Sequence, residues 1–199
     1  MGFFDSLKRL FKREAKNEAE KGVKKGAHSV KKQQGTEKFT FTTLPTTCEE
    51  LKQLSEATLD TPYKTAALTV LGLVIYTKNE EEGIKCLNFL RGPKGELVER
   101  EKQFFRDRIK EKNGEFIAIS YFNGATPETE YVPTKPYTLE IFSNSHSYEQ
   151  DTYCTLHLNS GGADSERQIT LRTANGKWYL WDQLIMVSIK VPKSQNPWG

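Results

Sequence analysis

The spacing of apolar residues changes once along this chain, near Gly114. Upstream of it apolar side chains recur every three to four residues, the period of a helix with one buried face; downstream they alternate, the period of a half-buried strand. Upstream, Thr47 with Glu50 forms a capping-box pattern that predicts a helix over residues 48–57. Thr61-Pro62 supplies an N-cap and a first-turn proline for a helix over 62–77, which is apolar all round and therefore predicted to be the buried one. Asn79 with Glu82 opens a third helix over 80–90, which Gly92-Pro93 ends. Leu97, Val98, Glu101, Phe104, Phe105, Arg108 and Ile109 mark a fourth, amphipathic helix closed by Gly114.

Downstream, the alternation predicts strands over 116–122, 137–143, 153–159, 166–174 and 177–191, the last broken near Gln183. The three prolines in 123–136 make that stretch an extended loop. Asn175-Gly176 tolerates the positive φ at both central positions of a type I′ hairpin, so Ala174 faces Lys177. Counting outward pairs Leu171 with Leu180 on one face, and Arg172 with Tyr179 and Thr170 with Trp181 on the other. If Asn159 faces Glu166 across the Ser160–Ser165 turn, Leu156 meets Ile169 and Cys154 meets Leu171 on the apolar face. The fold class that follows is α+β, with N-terminal helices packed on one face of a C-terminal antiparallel sheet.

The opposite sheet face then carries three rows: Tyr153, Arg172 and Tyr179; Thr155, Thr170 and Trp181; His157, Gln168 and Gln183. An arginine between two tyrosines can stack as a cation–π sandwich, and hydrogen-bonding groups beside an aromatic floor suit an anionic or planar ligand. The alternative is an ordinary solvated or loop-covered face, since large aromatics also fill sheet faces for packing alone.

Charge separates the N-terminus from the rest. Residues 1–38 hold 11 of the 29 Lys and Arg but only 5 of the 26 Asp and Glu, so this segment carries +6 and the rest of the chain −3. Phe3, Phe4, Leu7, Leu10 and Phe11 recur at helical spacing with Lys8, Arg9, Lys12 and Arg13 between them, a basic amphipathic helix appended to the body. Such a helix fits an anionic membrane or a partner groove, or packs on its own body. Residues 1–37 are read as tail and linker, and 38–199 as a single domain. Met1-Gly2 through Ser6 formally matches a myristoylation pattern. No signal peptide is visible, and the longest apolar run, Ala66 to Tyr76, is short of the roughly 20 residues that span a bilayer.

Little in the chain suggests catalysis. Cys48, Cys86 and Cys154 are an odd count without ligand spacing, which disfavours a disulfide framework or zinc site and fits a reducing cytoplasm. His28, His146 and His157 stand far apart with no metal or triad motif around them. No paired carboxylates stand out. The Ser160–Ser165 turn lacks nucleophile-elbow and phosphate-loop spacing, and Asp164 and Arg167 are placed to pair across it. Arg91-Gly92-Pro93 and Asp107-Arg108 are within reach of the sheet rim. Nucleic acid is disfavoured because no recognised module accompanies the basic residues.

The ordered set FTTLPTTCEELKQL, TPYKTAALTVLGL, LNFLRGPKG, SYFNGATPETEYVPTKPY, SGGADSERQITLR, WYLWDQ and NPWG resembles an uncharacterised bacterial family, mainly from Firmicutes, that is defined only as a domain of unknown function. The likeness covers residues 39–199. The family prefers Asp-Pro-Trp-Ala at the end and Asn at position 129, where this chain has Asn196-Pro197-Trp198-Gly199 and Thr129. The resemblance supports the domain boundary and implies no activity or cofactor.

The functional expectation is a non-enzymatic cytoplasmic binding or adaptor domain, peripheral at the inner face of the membrane where its tail associates with it. Its ligand or protein partner is expected on Tyr153, Thr155, His157, Gln168, Thr170, Arg172, Tyr179 and Trp181, with no cofactor and no metal. The alternative is a small-molecule-binding or enzymatic α+β cone similar to the nuclear transport factor two-like superfamily. A deep polar cavity would favour the cone and an exposed aromatic face the adaptor.

Overall fold

A computed structural model describes residues 35–197 of the chain; the expected amphipathic helix from Phe3 to Arg13 lies outside the described residues. Strand β1 (Thr36–Phe41) is followed by helices α1 (Cys48–Lys52), α2 (Pro62–Lys78), α3 (Glu80–Arg91) and α4 (Glu99–Lys110). Strands β2 (Tyr137–Phe142), β3 (Tyr153–Leu158), β4 (Arg167–Ala174) and β5 (Lys177–Gln183) complete the body. The five strands lie in sequence order, each antiparallel to the next, so the sheet is a meander with all four helices inserted between β1 and β2. This is the expected α+β class. The first strand was not expected, because Glu37 and Lys38 leave it only Phe39 and Phe41 as buried apolar positions. It starts at Thr36, inside the stretch read as linker.

Three of the helix starts follow their sequence signals. Thr47, Thr61 and Asn79 each accept the backbone N–H three residues on with their side-chain oxygen, satisfying a donor that the first turn leaves orphaned. Helix α2 is buried on all sides, with 14 of its 17 residues buried. One flank lies across β2 to β5 and the other against α3. Gly83 permits that second contact, since a Cβ there would sit 2.4 Å from the Tyr76 Cα. Leu68, Leu71, Leu87, Leu139, Leu156 and Ile169 fill the interior, each contributing about 1.5–3 kcal/mol on transfer from water.

The expected register is found through most of the sheet. Tyr153 faces Arg172, Cys154 faces Leu171, Leu156 faces Ile169, and across the Asn175-Gly176 turn Leu171 faces Leu180 and Arg172 faces Tyr179. It fails at one residue. Thr170 faces Asp182 rather than Trp181, so Trp181 is the extra residue of a β-bulge. The bulge also moves Gln183 out of its expected row and opposite Ile169.

Three other expectations are corrected. Residues 116–122 form 3-10 turns rather than a strand, joined to the sheet only by a bridge from Phe122 to Leu139. Ile117, Ala118, Ser120, Tyr121 and Phe122 are all buried, so this run packs on both sides and closes its bonds locally, as in Ser120 Oγ to the Ile117 carbonyl at 2.7 Å. The first helix stops at Lys52, and a 3-10 turn at Ser55–Thr58 brings Leu59 into the core. The last strand breaks at Gln183 as expected but does not resume toward 191: the Gln183 side-chain carbonyl accepts the N–H groups of Ile185 and Met186, both at 3.1 Å, and turns the chain inward.

Candidate functional site

At the bulge Trp181 keeps the expected sheet face, away from the helices, but loses its expected partner Thr170. Its ring meets Tyr153 edge-on at 5.6 Å between centroids, and the Arg172 guanidinium carbon lies 4.8 Å from the Trp181 centroid and 5.2 Å from that of Tyr153. The expected sandwich of Arg172 between two tyrosines does not form: Arg172 lies against an edge-to-face pair of Tyr153 and Trp181, in cation–π range of both. Tyr179, the direct neighbour of Arg172, turns toward the connector between α3 and α4, where its ring fills the space over Gly92.

Tyr153, Thr155, Thr170 and Trp181 line an open cleft of about 330 Å³, walled on its other side by residues 146–150. That segment runs beside β3, the Ser147 carbonyl accepting the Thr155 N–H at 2.9 Å. The Thr155 and Thr170 hydroxyls lie 3.2 Å apart on the cleft floor. His157 is not part of this surface. It is 4% exposed, stacked on Phe142 and 3.0 Å from the Asn144 amide through Nε2. Its Nδ1 lies 2.9 Å from Glu166 Oε1 but out of line for a hydrogen bond, so the contact is ionic proximity at most. Gln168 is half-buried, and its carbonyl is taken by the Leu184 N–H at 2.8 Å.

The connector between α3 and α4 supplies residues that the sheet pattern could not reveal. Arg91, buried at the end of α3, donates to the Gly95 carbonyl at 2.8 Å and to Glu101 Oε1 at 2.8 Å, while Glu101 Oε2 accepts the Val98 N–H at 3.0 Å. Burial pushes the Glu101 carboxyl up, but the bonds from Arg91 and Val98 outweigh it and hold the group below its ordinary value. Lys94, carried by this braced loop, donates to the Trp181 carbonyl and places its ammonium 4.9 Å from the Trp181 ring centre. Partial burial, then the neighbouring Arg91, draw the Lys94 ammonium below its ordinary value. Together with the bond from the Trp178 N–H to the Leu59 carbonyl, Lys94 covers part of the outer edge of β5.

Two further clefts open on this side. One, of about 250 Å³, is lined by Arg91, Lys94, Arg172, Tyr179 and Trp181 among others, with no carboxylate in its wall. The second, of about 410 Å³, runs between α4 and the end of β5 over Leu87, Leu97, Phe105 and Leu180. All three clefts share Trp181.

The remaining candidates have structural partners. Gly161 and Gly162 pack against the Ala125 carbonyl and the Tyr131 hydroxyl, where a Cβ would come within 2.1 Å and 2.2 Å, so the Ser160–Ser165 turn is a packed loop. Asp164 pairs with Lys190, and Arg167 bonds Ser165, so the expected Asp164–Arg167 pair does not form. Arg108 pairs with Glu111 at 2.7 Å rather than reaching the sheet. Burial raises the Cys48 and Cys86 thiols and pushes Cys154 up to about 12, which leaves none of them a ready thiolate. Among the described residues, no group of three or more His, Cys, Asp or Glu is placed to hold a metal, and no helix is long and apolar enough to cross a membrane.

A family model described as a domain of unknown function, DUF6935, matches residues 43–193. The chain belongs to this family. The DUF6935 match takes in all four helices, strands β2 to β5 and every residue of the Trp181 junction, and begins just after β1. No curated protein and no solved structure matches the chain.

Proposed function

We propose that this DUF6935 chain is a non-enzymatic bacterial binding or adaptor domain that takes its ligand or partner at the Trp181 junction and is held at the cytoplasmic face of an anionic membrane by its basic segment, Phe3 to Arg13. The observation that carries the reading is the bulge. It leaves a large aromatic, flanked by Arg172 and Lys94, without a ladder partner where three clefts meet. A tryptophan held between cations on an open surface has the composition of an interface anchor. The cone reading has less support, because Leu68, Leu71 and Ile75 of α2 fill the space between helices and sheet, and the three clefts at Trp181 open outward.

The test is photo-crosslinking in cells. A photoreactive residue replacing Thr173, in the wall of the cation-lined cleft, is expected to give a discrete adduct that Arg172→Ala removes. The same residue at the exposed position Thr40 of β1 is expected to give none. Equal adducts at both positions, or none at Thr173, would remove the reading.

A further inference from the structure

We infer that the ligand of the Trp181 junction is a small single-chain amphiphile with an anionic head, its apolar body in the groove between α4 and β5 and its head among Arg91, Lys94 and Arg172. This rests on the binding reading above and names the class of ligand. The groove has an apolar floor of Leu87, Leu97, Phe105 and Leu180. Its walls include Phe104 and Leu184, which keep 40% and 57% of their surface in water, an exposure that an apolar chain would relieve. At about 410 Å³ it is within the size range of small-molecule sites.

The charge around it selects the head group. The groove and the cation-lined cleft share four wall residues, Arg91, Lys94, Leu180 and Trp181, so an apolar chain lying in the groove ends beside the cations. The cleft wall contains no acid and three cations, of which Arg91 is already paired with Glu101. Neither Arg172 nor Lys94 is in an ion pair with any described residue; Arg172 is held by two aromatic rings and Lys94 by a carbonyl. Of the two carboxylates beside the groove, Glu101 has one oxygen on Arg91 and the other on the Val98 N–H, and Asp182 accepts from the Gln183 N–H at 2.8 Å. A phosphate or carboxylate head would therefore meet an excess of positive charge, from Lys94 and Arg172, at the mouth of an apolar groove, the complementarity that charge-assisted hydrogen bonding rewards.

The test uses the full-length chain and decyl phosphate below its micellar concentration, followed by calorimetry and by the NMR signals of the tryptophan indole N–H groups. Saturable binding at one site is expected, with the Trp181 signal shifting and the buried Trp178 signal unmoved. Decanol, which lacks the charge, and inorganic phosphate, which lacks the chain, are each expected to bind at least tenfold more weakly. Arg172→Ala with Lys94→Ala should lose at least tenfold for decyl phosphate without changing decanol. Leu184→Glu, at an exposed position, should weaken both. Thermal melts establish that each variant is folded before it is titrated, and Arg172→Gln replaces Arg172→Ala if the double variant is not. Equal affinity for decanol and decyl phosphate, tighter binding of free phosphate, unsaturable uptake, or indifference to these substitutions overturns the inference. If Thr173 adducts persist while decyl phosphate fails, the ligand class is wrong and the binding face stands; if both fail, both readings fall.

Discussion

The Arg172 guanidinium lies 4.8 Å from the Trp181 ring centre although the two residues are not partners in the ladder, where Arg172 faces Tyr179. The contact is made beside a β-bulge, at which Trp181 has no partner on β4. It also separates two consequences of substitution. Leu171, on the opposite face, is fully buried against the helices, whereas Arg172 is exposed. Leu171→Ala is expected to cost about 2–5 kcal/mol and Arg172→Ala less than about 1 kcal/mol. Denaturant melts of the two variants check this, and a larger loss for Arg172→Ala would mean that the faces are wrongly assigned.

The positions that could be read from sequence are those where a local signal acts alone. Thr61-Pro62 fixes the start of α2, and Asn175-Gly176 fixes the hairpin from Ala174–Lys177 to Leu171–Leu180. Counting then fails at Trp181, because the arithmetic of a ladder assumes one residue per step and nothing local marks a bulge. Lys94 is not legible in the sequence for a different reason. Its position against Trp181, 87 residues away, depends on the buried Arg91–Glu101 pair that braces the connector, and the pair becomes visible only once both helix ends are placed. His157 looked like a surface residue by parity, and is enclosed because Phe142, Asn144 and Glu166 close over it.

The first strand sets the boundary of the folded body. The Gly35 N–H donates to Ser143 Oγ at 2.9 Å, and Phe39 and Phe41 are buried opposite Leu139 and Tyr137. A chain starting at Gly35 is expected to keep the cooperative melt of the full-length protein, and one starting at Thr42 to lose several degrees or the transition itself. Calorimetry of both truncations decides the matter, with equal melts showing that β1 is dispensable.

The brace at the connector should be sensitive to acid. Because the folded Glu101 carboxyl lies below its ordinary value, its contribution is fully present above the usual carboxylate range and is lost as pH falls through that range and past the lowered folded value. The stability difference between the native protein and Glu101→Gln should therefore be largest near neutral pH and shrink in acid. A difference that is constant with pH would mean that the Arg91–Glu101 pair contributes nothing through its charge.

The basic segment is expected to bind vesicles containing anionic lipid and to release them in salt, since each Lys or Arg near such a surface contributes about 1 kcal/mol and is screened beyond a Debye length. Phe4→Glu with Leu7→Glu should abolish sedimentation with the vesicles. Equal sedimentation with neutral vesicles, or none with either, would contradict the tether.

Trp181 is part-exposed beside Arg172 and Lys94, while Trp178, three residues away on the same strand, faces the core. Collisional quenching measures this directly. In the Trp178→Phe, Trp198→Phe protein only Trp181 emits, and iodide should quench it well and more strongly than caesium, because Arg172 and Lys94 concentrate the anion at the ring. In the Trp181→Phe, Trp198→Phe protein the 4%-exposed Trp178 should resist both quenchers. Quenching of Trp181 no greater than that of Trp178, or stronger by caesium than by iodide, would contradict the account.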